Sequence, residues 1–319
     1  MYAEIVKIVG KDFTDRIRLY FIAPFKALTN LQALRNLKEV FTYYRHSTMG
    51  GLTEHELVNQ SLFSSQFSVK KRLNILSFHY KFLHQRLSSR QRDAMIEVGV
   101  TCWQKNFENG SHRIVLKISQ KYEYEGCLSM LYSIDDRDIY IMSFTICDGV
   151  DFDIDDQFVI LISRLQGARG KHEDIAKATK QMIDIYPAST LMSALEGFGL
   201  SIGVNKIIAV AAKNQVSIKE GDFEHAKSQY DEFWKTFEPN ALLKSGDYLI
   251  SIPFALKPLK LIRSKFRKRT LAKRSLKKDV SNTMQANCTQ IFSFHNSVPP
   301  VVAPGHSEQA LPTPVLLRG

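Results

Sequence analysis

The sequence predicts an α+β fold, with a helical N-terminal part followed by a mixed, largely antiparallel sheet with flanking helices. Three observations predict it. Apolar residues recur at three- and four-residue steps in the first hundred residues, apolar and polar residues alternate from about Ser111, and later apolar runs are interleaved with helical patterns. The 44% hydrophobic and 24% charged fractions are ordinary for a folded domain, so 319 residues can bury a sizeable core.

These patterns divide the chain into four parts. We predict a helical region over residues 1–107, a mixed α/β sheet domain over 108–255, a basic helical segment over 256–281 and a disordered tail over 282–319. No apolar run approaches the roughly 20 residues that cross a bilayer, and residues 1–15 lack the pattern of a signal peptide. We therefore expect a cytoplasmic protein.

Two helices are predicted in the N-terminal part. The second of them follows Ser68 and includes residues 72–83, which are apolar enough to pack on both sides. His79 and His84 lie among its aromatic residues, and we interpret them as packing residues rather than catalytic bases. The first helix carries a single apolar stripe, formed by Phe25, Leu28, Leu31, Leu34, Leu37 and Phe41.

Three strands with short connections are predicted next. Residues 114–119 alternate in polarity, and residues 127–133 and 139–147 follow as further strands, which favours an antiparallel meander. The acidic stretch at 148–156 lacks the glycine and the glutamate of a calcium-binding loop, so we interpret it as solvated. The four cysteines and nine histidines form no zinc-binding spacing, which leaves a metal site without support.

A glycine-rich, basic stretch at residues 164–171 lies between an apolar β-branched run at 157–163 and a helical pattern opened by Glu173 and Asp174. Glycines let a backbone approach a phosphate, and free amides at a helix N-terminus point toward it. We predict an anion-binding or cofactor-binding loop, with a plain strand-to-helix turn as the alternative. The candidate residues are Arg164, Gln166, Gly167, Arg169, Gly170 and Lys171.

Two helical segments and one more strand follow this loop. Pro187 separates the two helices, and Gly203 ends the second. Residues 206–212 read as a buried strand, and a helix with an aromatic face comes after it. We assign the aromatic face to the core, with a cofactor-stacking role for Tyr230 or Trp234 as the alternative.

Eleven basic residues and no acidic residue lie within residues 257–278. The formal charge of this segment thus equals the formal net charge of the whole chain, +11. The remainder is therefore formally neutral. Leu259, Ile262 and Phe266 give the segment a partial apolar face, which suits a helix on an anionic membrane. Nucleic acid, bound without sequence specificity at most, and a merely solvated helix are the alternatives. The candidate residues are Arg263, Lys265, Arg267, Lys268 and Arg269.

Five phrases fall in the order and spacing of the VirK/YbjX family of enterobacterial proteins, which the chain resembles over roughly residues 20–280. The phrases are RLNILSFHY at 72–80, LQG at 165–167, ATK at 178–180, QYDEFW at 229–234 and SKFRKR at 264–269. The resemblance implies a role in virulence, including cell-to-cell spread and tolerance of host antimicrobial peptides, and supplies no catalytic residue. We expect an accessory factor that supports production or surface display of an envelope virulence determinant, with an envelope-biogenesis component as a partner.

The order of elements is also similar to that of acyl-CoA N-acyltransferases of the GNAT type. These have leading helices, an antiparallel meander, a strand that ends in a Q/RxxGxG/A pyrophosphate loop, a helix and another strand. Counting from Arg164 puts Arg169 where glycine or alanine belongs. The resemblance implies a second hypothesis, a transferase that uses a coenzyme A thioester to modify an envelope component while peripheral on the inner membrane. A nucleic-acid-binding regulator acting after transcription is the third hypothesis.

Overall fold

The structure is a computed structural model, which describes residues 28–41, 61–108, 110–119, 125–218 and 223–293. These residues form seven α-helices and one eight-stranded sheet, which confirms the predicted α+β class. The helices are α1 (Leu31–Phe41), α2 (Val69–Arg86), α3 (Ser89–Glu97), α4 (His172–Gln181), α5 (Pro187–Ser201), α6 (Phe223–Lys235) and α7 (Ser264–Ile291). The strands are β1 (Val100–Phe107), β2 (Gly110–Ile118), β3 (Leu128–Ile134), β4 (Arg137–Asp148), β5 (Phe158–Gly167), β6 (Lys206–Ala209), β7 (Ala241–Leu242) and β8 (Tyr248–Ser251).

The sheet has the strand order β1-β2-β3-β4-β5-β6-β8-β7. Strands β1 to β5 form an antiparallel meander, as their short connections predict. Strands β5 and β6 pair in parallel, because α4 and α5 carry the chain back between them. Strand β8 pairs antiparallel with both β6 and β7. The sheet is therefore mixed and largely antiparallel.

Helix α2 begins where the sequence indicates, because the Ser68 side chain accepts a hydrogen bond from the Lys71 amide. It packs against β4 through His79, which is fully buried and whose Nδ1 accepts a hydrogen bond from the Ile146 amide at 3.1 Å. Burial lowers the pKa of His79 to about 3, so the ring is neutral. This agrees with its interpretation as a packing residue.

Helix α1 buries only part of its predicted apolar stripe. Leu34 and Leu37 are buried, whereas Leu28 and Leu31 are exposed. Phe25 lies outside the described residues. The stripe is therefore narrower than the sequence suggests, because α1 contacts the rest of the protein mainly through α2.

Helix α7 lies against α5, and the predicted boundary of the disordered tail is wrong. Its helical residues 282–291 continue an apolar stripe formed by Leu276, Val280, Met284 and Cys288 at four-residue steps. Burial of that stripe offsets the cost of ordering the chain. The part of the tail from 294 to 319 lies outside the described residues.

Three strands differ from the sequence-based expectation. Strand β1 lies within the residues predicted to be helical, so the sheet begins before residue 108. Strands β7 and β8 were not predicted, because two and four residues are too few for a recognisable alternation. Buried apolar residues from α1 to α7 form one continuous core across these predicted boundaries.

Candidate functional site

Strand β6 is shorter than β5 and ends part-way along it. Strand β5 pairs with β4 throughout, but with β6 only over residues 160–162. The last bond on that side runs from the Val210 amide to the Ile162 carbonyl at 3.0 Å. A bulge at Ser163, where the register with β4 shifts, follows directly. Among the described residues, no strand pairs with the β6 side of residues 163–167, and this edge of β5 faces a cleft.

A cavity of about 690 Å³ lies beside the part of β5 that β6 does not pair with. Residues 165–170 form one wall, and aromatic residues of β4, of α6 and of the turn before α5 form others. Such a partly apolar cavity with a few polar groups is typical of a small-molecule site. The aromatic lining residues are Tyr140, Tyr186, Tyr230 and Phe233.

The turn between β5 and α4 is shorter than the predicted loop. Arg164, Gln166 and Gly167 belong to β5, where they pair with β4. The sequence predicts a strand that ends with its apolar run at residue 163, whereas pairing with β4 continues to Gly167. Only residues 168–171 form the turn, and Gly170 adopts a φ of +75°, which disfavours other residues. No side chain caps the N-terminus of α4.

The structure separates the six predicted loop residues into two sets. Gln166, Gly167, Arg169 and Gly170 line the cavity, and the Arg169 side chain is exposed. Arg164 and Lys171 do not line it. They are held in ion pairs, Arg164 Nε with Glu125 Oε2 at 3.2 Å and Lys171 Nζ with Asp174 Oδ2 at 3.6 Å.

Tyrosines on three elements meet at the cavity. Tyr140 and Tyr186 stack edge to face with their centroids 5.7 Å apart, and burial raises the pKa of Tyr140. Tyr230 is nine-tenths buried, and burial, followed by the charge of Glu125, raises its pKa to about 12. The Tyr230 hydroxyl also has a backbone hydrogen bond with Leu165, at the cleft edge of β5. Sequence reasoning singled out Tyr230 only as an alternative and missed the other two.

Trp234, the other residue weighed for stacking, belongs to the core. It is fully buried, and its Nε1 donates a hydrogen bond to the Val210 carbonyl at 3.2 Å. Within the described ranges, no group of three or more His, Cys, Asp or Glu side chains is placed to hold a metal ion. The four cysteines are buried free thiols.

The basic segment projects from the body of the protein at the start of α7. Arg263, Lys265 and Lys268 are exposed, whereas two of the predicted binding residues have partners within the chain. Arg267 Nε donates to the Ile262 carbonyl at 2.9 Å, and Arg269 forms an ion pair with Asp184.

The apolar residues at the surface of this segment also differ from those predicted. Leu259 and Ile262 are half-buried, and only Phe266 of the predicted face is exposed. Within the part of the chain that the structure describes, no helix is both long and apolar enough to cross a membrane. The exposed apolar residues are Leu256, Leu261, Phe266 and Leu271.

Comparisons with known proteins place the chain in a family without an assigned activity. A family model described as a protein of unknown function (DUF535) matches residues 19–286. The chain is also similar to the "Uncharacterized protein YbjX" of Escherichia coli (strain K12), with 24% identity over 181 residues. That match covers 54% of this chain and 53% of the relative, so the chain spans about half the length of the relative. No solved structure matches the chain. Because the family model covers most of the chain, the protein belongs to the DUF535 family, which confirms the resemblance to VirK/YbjX proteins.

Proposed function

We propose that the protein is an acyltransferase that uses a coenzyme A thioester. The observation that carries the proposal is the cavity beside the part of β5 that β6 does not pair with, which extends to the turn before α4. A donor of this kind has a pyrophosphate and a long arm with two amide groups. Such a donor needs an anion site for the pyrophosphate and, next to it, a strand edge for the amides of the arm. The unpaired edge of β5 and the turn that follows it offer these two features at one cavity.

The residues around the cleft fit such a donor. The uncapped amides at the N-terminus of α4 and the exposed Arg169 side chain would bind the pyrophosphate. The backbone of residues 163–167 would bind the amides of the arm along its β6 side, as a sheet edge binds an added strand.

Tyr230 offers a proton donor beside the β5 edge. With a pKa raised to about 12 by burial, its phenol remains protonated at neutral pH. The hydroxyl is held at Leu165 by a backbone hydrogen bond. Tyr230 is therefore placed to give a proton from Oη to the sulfur that leaves during acyl transfer.

Ligand-dependent unfolding tests this function. Coenzyme A at about one hundred times its dissociation constant should stabilise the folded protein by roughly 2.7 kcal/mol, and ATP and phosphate serve as comparison ligands. The Arg169→Ala variant should need more coenzyme A for the same shift, because it loses a charged contact to phosphate. Arg90→Ala, an exposed arginine on α3, is the matched control. A folded wild-type protein that neither coenzyme A nor acetyl-CoA stabilises would refute the proposal.

For the biological role, membership of the family supports a link with virulence, as the VirK/YbjX resemblance implies. We propose that the acceptor is an envelope component, and that its acylation supports surface display of a virulence determinant, cell-to-cell spread or tolerance of antimicrobial peptides. Complementing a deletion strain with Tyr230→Phe tests this role. If the strain with Tyr230→Phe survives antimicrobial peptide as well as the strain with the wild-type gene, the biological role does not depend on the proposed activity.

We also propose that the start of α7 docks on an anionic membrane. Four exposed apolar residues lie among the exposed cations of this segment, a combination that suits a lipid surface. Among them, Phe266 is the only aromatic residue that could stack on an unpaired base, and Lys265 Nζ lies 5.0 Å from its ring centroid. A membrane is thus favoured over specific binding of RNA.

Flotation with vesicles of anionic or neutral lipid tests the membrane proposal. Each exposed cation contributes on the order of 1 kcal/mol near an anionic surface, so removing three should lower binding roughly a hundredfold. High salt should have a similar effect. Equal flotation with neutral vesicles would refute the proposal, and selective binding of one RNA over scrambled RNA would favour a regulator instead. The variants are Lys260, Arg263 and Lys268 changed to Gln, and a control with Lys70, Arg90 and Lys180 changed to Gln.

A further inference from the structure

Among the described residues, one oxygen of the Glu125 carboxylate has no partner. The residue is 7% exposed, and its Oε2 forms the ion pair with Arg164 Nε at 3.2 Å. Its Oε1 is buried and accepts no hydrogen bond from the residues that the structure describes. Leaving a buried polar atom unpaired costs about 1–3 kcal/mol, and more for a charged group. An atom of this kind in a folded protein therefore points to a ligand or a chemical role.

A second buried oxygen without a partner among the described residues belongs to Ser143, which lies opposite Arg164 in β4. Ser143 is fully buried, and its Oγ has no hydrogen-bond partner in the part of the chain that the structure describes. It is the cross-strand partner of Arg164, so both side chains lie on one face of the sheet. Gly126 lies against it, since a Cβ built on Gly126 would be 3.0 Å from the Ser143 Cβ. Glu125 and Ser143 are therefore both neighbours of Arg164, which directly follows the bulge at Ser163.

Tyr230 lies near these groups from the side of α6. Its raised pKa is caused mainly by burial, to which Glu125 adds, while Arg164 acts in the opposite direction. Leu165, which holds the Tyr230 hydroxyl, is next to Arg164 in β5. One point of β5 thus has a proton acceptor and a proton donor beside it, the pairing of groups that acid–base catalysis needs.

We propose that Glu125 and Ser143 form the acceptor subsite of the transferase, and that Glu125 Oε1 takes the proton from an attacking hydroxyl or uncharged amine. This inference rests on the proposed acyl transfer and extends it to the second substrate. Because Arg164 already compensates the charge of Glu125, the subsite has no net charge to hold an ammonium group. It favours an uncharged nucleophile that donates a hydrogen bond to Glu125 and exchanges one with Ser143.

In the transfer step, the acceptor oxygen or nitrogen forms a bond to the thioester carbonyl carbon, and the bond from that carbon to sulfur breaks. The acceptor proton moves to Glu125 Oε1, and the Tyr230 Oη proton moves to the sulfur. The products are an ester or amide and free coenzyme A. The proton on Glu125 then returns to the Tyr230 phenolate through solvent, which restores both groups.

Release of free coenzyme A from acetyl-CoA, with hydroxylamine as the uncharged nucleophile, tests the subsite in the full-length protein. Glu125→Gln should lower the rate of thiol release by about a hundredfold or more, the usual range for a lost general base. Calorimetric binding of acetyl-CoA should be unchanged. Glu232→Gln, an exposed carboxylate on α6, is the matched control.

Ser143→Ala is the second variant, because it removes a subsite oxygen and leaves the Glu125–Arg164 pair intact. It should raise the KM for hydroxylamine more than it lowers kcat. If the wild-type protein binds no acetyl-CoA, the proposed function itself fails. If it binds acetyl-CoA but releases no thiol with hydroxylamine, the subsite inference is overturned while donor binding stands. The same conclusion follows if Glu125→Gln releases thiol as fast as the wild-type protein.

Discussion

Substituting Gly197 with alanine should destabilise the protein, because α5 and α7 approach closely at this glycine. A Cβ built on Gly197 would lie 2.0 Å from the Ser281 carbonyl oxygen, and Cβ atoms in proteins essentially never approach closer than 3.0 Å. The two helices must therefore separate by about 1 Å. A gap of this size forfeits about a quarter to a half of the dispersion energy of each contact it opens.

The expected magnitude follows from two opposing effects. Overpacking against a rigid backbone costs about 1–3 kcal/mol, to which the lost helix contacts add. Alanine regains at most about 1 kcal/mol through its higher helix propensity. We expect a net loss of about 2 kcal/mol in the free energy of unfolding, measured by urea titration with circular dichroism.

Gly199→Ala is the matched control, since it lies in the same helix and gains the same propensity. A Cβ there would lie 2.5 Å from Ile252 Cδ1, the end of a side chain that can move. It should cost clearly less than Gly197→Ala. If the two variants have equal stability, or if Gly197→Ala stabilises the protein, close packing of α7 on α5 is refuted.

Three further predictions concern single side chains. Burial lowers the pKa of His79 from 6.5 to about 3, so between these pH values the unfolded chain binds a proton that the folded protein lacks. The free energy of unfolding should therefore fall by about 1.4 kcal/mol per pH unit below pH 6.5. Urea titrations at pH 7 and pH 5 should show this slope in the wild-type protein and its loss in His79→Gln. Tyr230→Phe should lower thiol release from acetyl-CoA by about a hundredfold without weakening acetyl-CoA binding in calorimetry, and an unchanged rate would exclude Tyr230 as the proton donor. Lys71 Nζ donates a hydrogen bond to the Asp151 carbonyl at 2.6 Å and lies 3.9 Å from the Phe152 ring centroid. Lys71→Met should therefore lower the free energy of unfolding in urea by about 1–2 kcal/mol, and an unchanged value would contradict these contacts.

Local patterns in the sequence were sufficient for the elements that bury a regular face. The alternation in 114–119 predicts β2, and Pro187 marks the start of α5. Both elements follow from short-range physics, because burying one face imposes a period on the residues that form it. Strands β7 and β8 could not be predicted in this way, since β8 pairs with β6, which is distant in sequence, and β7 is a two-residue strand paired with β8.

The basic segment is a second case in which the sequence determined one part of the result and the tertiary structure the other. The sequence by itself determined that the net charge lies in residues 257–278. Only the tertiary structure decided which of those charges are available, because Asp184, on the turn between α4 and α5, forms an ion pair with Arg269. A count of charges contains no information about partners that folding brings in from elsewhere in the chain.

The candidate site shows the same division. The sequence by itself determined a glycine-containing turn between a buried strand and a helix, because strand, turn and helix are each encoded by adjacent residues. Only the tertiary structure decided that β6 ends before this part of β5, that Glu125 pairs with Arg164, and that both are close enough to Tyr230 to affect its pKa. These three residues come from a loop, a helix and a strand. Their proximity results from the packing of the whole sheet with its helices, which no local period records.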